Sequence, residues 1–140
     1  MITFQTLDID KPQIDEDRLR QWIEAVAASH GRRVGQVNYV LTNDEQILQV
    51  NRQFLGHDYY TDIITFDYDE ADIISGDIII SIDTVRSNAQ TLGETYDNEL
   101  HRVIIHGILH LCGINDKGPG QRAIMEAAED EALKKLLATS

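Results

Sequence analysis

One stretch, His106-Gly107-Ile108-Leu109-His110-Leu111-Cys112-Gly113-Ile114-Asn115-Asp116, constrains this chain more than any other. It predicts the end of a helix running from about Glu99 to Leu111, and Gly113 can close that helix because glycine tolerates the left-handed conformation of a C-terminal cap. Val103, Ile104, Leu109 and Leu111 would bury the helix, so the rest of the chain has to supply its surroundings. His106 and His110 then share a face one turn apart, with Cβ atoms roughly 5–6 Å from each other. Two imidazoles at that separation can hold one metal ion. A turn at Gly113 can bring Asp116 back as a third ligand, and three protein ligands plus an open position is the layout of a catalytic zinc site. A plainer reading also stands. The histidines can be partly buried side chains with local hydrogen-bond partners, and Asp116 a loop carboxylate or the cap of a following helix.

The residue after the first histidine narrows the chemistry. Metalloproteases with H-E-x-x-H use that glutamate as general base; here the position is Gly107, so a metal-bound hydroxide or another carboxylate such as Glu99 would have to serve. A carboxylate ligand at Asp116 makes the metal less electrophilic than three imidazoles would. It also admits manganese or nickel more readily, since ligand hardness and geometry select the metal.

Around this helix the chain alternates strand and helix signals. Ile2–Leu7 suits a strand. Pro12 and Asp15 open a helix whose apolar positions Ile14, Leu19, Trp22, Ile23, Val26 and Ala27 recur at helical spacing, closed by His30-Gly31. Val34–Thr42 alternates, with Val34, Val37 and Val40-Leu41 expected to face inward. Asn43 and Asp44 cap a helix through Ile47, Leu48, Val50, Asn51 and Phe54, ended by Gly56. Ile63–Tyr68 and Asp77–Ile82 are rich in β-branched and aromatic residues and predict an antiparallel pair across the acidic segment Asp69–Asp72. Asp83 is expected to cap a short helix to about Thr91. A last helix spans about Gln121–Leu137, with Ile124, Ala127, Ala128, Leu133 and Leu136-Leu137 as its packed face. The expectation is an α+β domain of the α/β type over residues 1–140, with about four strands in a mixed sheet and about five helices. Trp22, Tyr39 and Cys112 read as core residues.

Hydrophobic residues make up 42% and charged residues 26% of the 140, in the range of globular proteins. No apolar run approaches the roughly 20 residues of a membrane helix. The N-terminus lacks a basic flank or an apolar core, and a single cysteine cannot pair within the chain, so a cytoplasmic location is expected. A net charge of −12 argues against non-specific nucleic-acid binding, although a local basic groove is compatible with it.

HGILHLCGIND resembles the H-G-x-L-H-L-x-G-x-D-H signature of the YbeY family, bacterial metal-dependent endoribonucleases of ribosomal RNA maturation. The likeness continues upstream in order: Leu48, Asn51, Phe54, Gly56, Asp58 and Thr61-Asp62-Ile63-Ile64-Thr65-Phe66, then Gly76-Asp77-Ile78 and Ser81. The family's third histidine falls at Asp116, its preceding aspartate at Asn115, an arginine at Leu55 and a proline at Tyr60. The Leu55 exchange removes a cation that could hold a phosphate. The resemblance implies hydrolysis of single-stranded or ribosomal RNA at one zinc ion, or another divalent transition metal, held by His106, His110 and Asp116. It also implies ribosomal particles or ribosome-associated proteins as partners, with no DNA or membrane partner. Candidates to steady charge on phosphate are Arg52, Arg86, Arg102, Lys117 and His57, the last because it lies in the matching loop segment. Two other classes stay open: a metal hydrolase acting on a peptide or small ester, and a ribosome-assembly binding protein whose metal is mainly structural.

Overall fold

The computed structural model describes residues 1–55, 62–114 and 118–138. The element order is β1 (Ile2–Thr6), α1 (Glu16–Ser29), β2 (Arg33–Thr42), α2 (Asp44–Val50) running into a π-helical turn (Asn51–Leu55), β3 (Ile63–Asp67), β4 (Ile73–Ser81), α3 (Ile82–Leu92), α4 (Tyr96–Leu111) and α5 (Gln121–Ala138). The four strands form one mixed sheet in the order β1-β2-β4-β3, parallel except for β3, which runs antiparallel to β4. This is the expected α+β architecture, including the antiparallel pair across the acidic segment.

Strand parity decides what the sheet buries, since successive side chains point to opposite faces. Phe4, Tyr39 and Ile78 lie side by side in register, and Phe4 stacks on Tyr39 with ring centroids 5.0 Å apart. Val37, Tyr39 and Leu41 are buried, whereas Val40 is only half-buried on the other face. The expected inward position at Val40 is therefore corrected. A register shift between Val34 and Val37 also breaks the alternation there, which a straight reading of the strand misses.

The helices cover the Tyr39 face. α4 is the central one, with Leu100, Val103, Ile104, Ile105, Gly107, Ile108, Leu109 and Leu111 buried against the sheet and the flanking helices. A helix apolar around most of its circumference belongs inside a fold. Two buried polar groups tie this layer together: the Tyr39 hydroxyl donates to Ile104 O at 2.8 Å, and the Trp22 indole donates to Ala132 O at 2.6 Å, joining α1 to α5.

Helix ends follow local side-chain chemistry. Asp15, Asn43 and Thr95 cap α1, α2 and α4 by accepting from the backbone N–H three residues on. α3 is capped by Ser81 rather than by the expected Asp83, whose carboxylate instead accepts from Asp44 N. The α5 face is also rotated from its expected position. Met125, Glu129, Ala132 and Leu136 are buried, while Ile124 and Leu137 are 61% and 76% exposed. Apolar content misled the reading because this helix turns a glutamate inward. The expected helix stop at Gly56 lies outside the described residues.

Candidate metal centre

α4 places the two histidines as their spacing requires. The His106 and His110 rings lie on one helix face with centroids 6.2 Å apart and planes within 11° of parallel. His106 is half-buried and His110, in the last turn, is exposed. The helix stops immediately afterwards. Gly113 takes φ +98°, its N–H donates to His110 O at 3.0 Å, and Ile114 N–H donates to Leu109 O at 3.1 Å. This pair of bonds is the Schellman cap, with Gly113 as the left-handed residue just beyond the capping Cys112. The chain is thus turned sharply one residue before the segment that carries Asp116. Asp116 and Lys117 lie outside the described residues, as does His57.

Gly107 has a structural reason to be glycine. A Cβ built there would come within 2.9 Å of Ile78 Cδ1 and 3.2 Å of Ile63 Cδ1, so α4 sits flat on β3 and β4 at this point. A larger side chain at this position requires the Ile78 and Ile63 side chains to give way.

The side chain that meets His106 is one that the motif does not contain. Glu129 of α5 is 6% exposed, and its Oε2 lies 2.6 Å from His106 Nδ1. Its Oε1 accepts from Arg102 Nη1 at 2.9 Å, and Arg102 Nη2 donates to Asp130 Oδ1 at 2.8 Å. Arg102, expected as a possible phosphate ligand, is therefore engaged within the protein. Arg86, another candidate, lies over the Tyr96 ring at 5.4 Å. Only one signal could have found Glu129: an acidic residue breaking an otherwise apolar helical stripe.

Two more carboxyls complete the surroundings. Burial raises the proton affinity of Asp62 above its ordinary value, opposed by the nearby His106. Glu99, 5% exposed, is raised by burial and then by the charge of Asp62. Cys112 is buried, and desolvation pushes its thiol up to about 11, as a packing residue rather than a nucleophile requires.

The donor chemistry suits a divalent transition ion, because two imidazoles are borderline-soft nitrogen ligands presented from one rigid helix. Among the described residues, no three His, Cys, Asp or Glu side chains converge on one point; His106 and His110 stand together as a pair. Two grooves formed by described residues, about 660 Å³ beside Asp8, Lys11 and Arg86 and about 500 Å³ against Asn38, Phe66 and Asp77, include neither histidine in their lining.

Comparison with known proteins gives a consistent result. A family model described as Endoribonuclease YbeY matches residues 5–137. The chain is 63% identical over 133 residues to Endoribonuclease YbeY of Phocaeicola vulgatus, covering 95% of this chain and 96% of that protein. It is 61% identical over 132 residues to the same-named protein of Bacteroides thetaiotaomicron, covering 94% and 96%. Among solved structures, that of TM1509 from Thermotoga maritima matches with a TM-score of 0.67 and 26% identity, covering 99% of this chain and 93% of that one.

Proposed function

The chain belongs to the YbeY family of endoribonucleases, and from that premise we infer that its α4 histidines serve the metal-dependent cleavage of single-stranded RNA in ribosomal RNA maturation. The reaction class is hydrolysis of RNA phosphodiester bonds. One observation carries the assignment to this site: His106 and His110 stand nearly parallel on one face of the buried helix α4, with the Glu129 carboxylate 2.6 Å from His106 and Asp62 close enough to feel its charge.

His106, His110 and Asp116 are the residues that would hold the ion, with zinc favoured by the imidazole pair. When bound, the ion supplies Lewis-acid polarisation of a phosphoryl oxygen. The chain does the rest. Asp62 and Glu99 have raised proton affinities, and a carboxyl so tuned is suited to take a proton from the attacking water. His57 and Lys117 are the cations proposed to contact phosphate, because Arg102 is already engaged with Glu129 and Asp130. The described residues include no helix long and apolar enough to cross a membrane. A cytoplasmic location and ribosomal particles as partners belong to the same proposal, and they follow from the proposed RNA substrate.

The test is to incubate zinc-loaded protein with a single-stranded RNA, a peptide and a small ester. Cleavage of the RNA is expected, with loss of roughly 100-fold or more in His106→Ala and in Asp116→Ala. Peptide or ester hydrolysis without RNA cleavage would overturn the assignment, as would binding to ribosomal particles with no cleavage.

A further inference from the structure

Burying a carboxylate on α5 is costly unless it is paired, because desolvating the charge works against folding. α5 nevertheless turns Glu129 into the core along the stripe Met125, Glu129, Ala132 and Leu136. The two oxygens of that carboxylate have separate tasks. Oε1 accepts from the guanidinium of Arg102, and Oε2 meets Nδ1 of His106 at 2.6 Å. Arg102 and His106 are four residues apart on α4, so they present one face to α5.

We propose that Glu129, clamped by Arg102, is a positioning residue that holds the His106 imidazole with its proton on Nδ1 and so makes Nε2 the ring's coordinating atom. An ionised carboxylate only accepts, so the nitrogen facing it must carry the proton. In a neutral imidazole the lone pair is then on Nε2, the nitrogen that can coordinate an ion. The positive charge that balances Glu129 is already supplied by Arg102 through the other oxygen, so a charged His106 is not required for the pair. Such carboxylate–histidine contacts fix ring orientation and raise ligand basicity, and their loss typically weakens metal binding by about 10- to 100-fold. Asp130, the next residue, accepts from the second guanidinium nitrogen, which further restricts Arg102. The inference rests on the metal-binding reading above, and it adds an interhelical element: the ligand on α4 is oriented by α5.

The experiment compares wild type, Glu129→Gln, Glu129→Asp and the exposed control Glu126→Gln. Zinc affinity is measured by competition with a chromophoric chelator. The His106 tautomer is read by long-range proton–nitrogen NMR on the metal-free, histidine-labelled protein near about pH 8. The wild type is expected to show His106 protonated on Nδ1. Glu129→Gln, whose amide can donate as well as accept, is expected to mix the tautomers and to weaken zinc by about 10- to 100-fold. Glu126→Gln should match wild type. If Glu129→Gln does not fold, Glu129→Asp carries the test, since it keeps the charge but withdraws it by one methylene. It should shift both readouts in the same direction. Unchanged affinity and an unchanged tautomer in the folded variants would overturn the proposal. If wild type binds no zinc, the metal reading fails, while the tautomer comparison still decides the role of Glu129.

Discussion

At Glu99 the fold holds a carboxyl that is 5% exposed, beside Asp62 and with Glu129 and Glu94 also contributing negative charge. Burial is the first cause of its raised proton affinity, and the neighbouring carboxylate adds to it. The sign of the resulting pH dependence follows from linkage. A group whose proton is held more tightly in the folded than in the unfolded chain contributes stability below its unfolded value and loses it as pH rises through the folded one. Glu99→Gln removes that loss. The variant should therefore gain stability over wild type as pH rises above the ordinary glutamate value of about 4.3, read as a growing difference in denaturation midpoint. A difference independent of pH would show that Glu99 does not titrate as its surroundings imply.

α4 unites fold and site because one helix carries both the densest packing and the two histidines. Gly107 shows how closely they are coupled: it lets the helix rest on Ile78 and Ile63 while His106 precedes it. Gly107→Ala adds a methyl group where the nearest atoms lie 2.9–3.2 Å away, and the expected cost is about 1–3 kcal/mol by chemical denaturation. A neutral result would mean that Ile78 yields freely. The same element explains what was legible in the chain. H-x-x-x-H with glycine three residues later is local information, and the two rings and the left-handed Gly113 stand where that spacing places them. Glu129 is not local information. Its role depends on α5 docking against α4, and the helical stripe alone pointed to Ile124 and Leu137, which are exposed. Likewise Arg102 reads as a spare cation until the pairing of α4 with α5 gives it Glu129 and Asp130.

For the whole molecule, the charge of −12 sets the terms on which RNA can be met. Basic residues are outnumbered two to one, 12 against 24, and several of them are tied into ion pairs: Lys11 and Arg20 with Glu16, Arg33 with Asp72, and Arg102 with Glu129. A broad field that attracts phosphate is therefore absent, and engagement of RNA has to come from a small region where a bound cation reverses the local sign. On the proposed function, that region is the end of α4, where His106 and His110 share one helix face. Everything then depends on whether this helix end holds a metal. The direct measurement is the metal content of the purified protein, together with that of His106→Ala and His110→Ala. The expected result is about one divalent transition ion per wild-type chain and its loss from both variants. Wild-type protein without a stoichiometric ion, or variants that keep one, would contradict it.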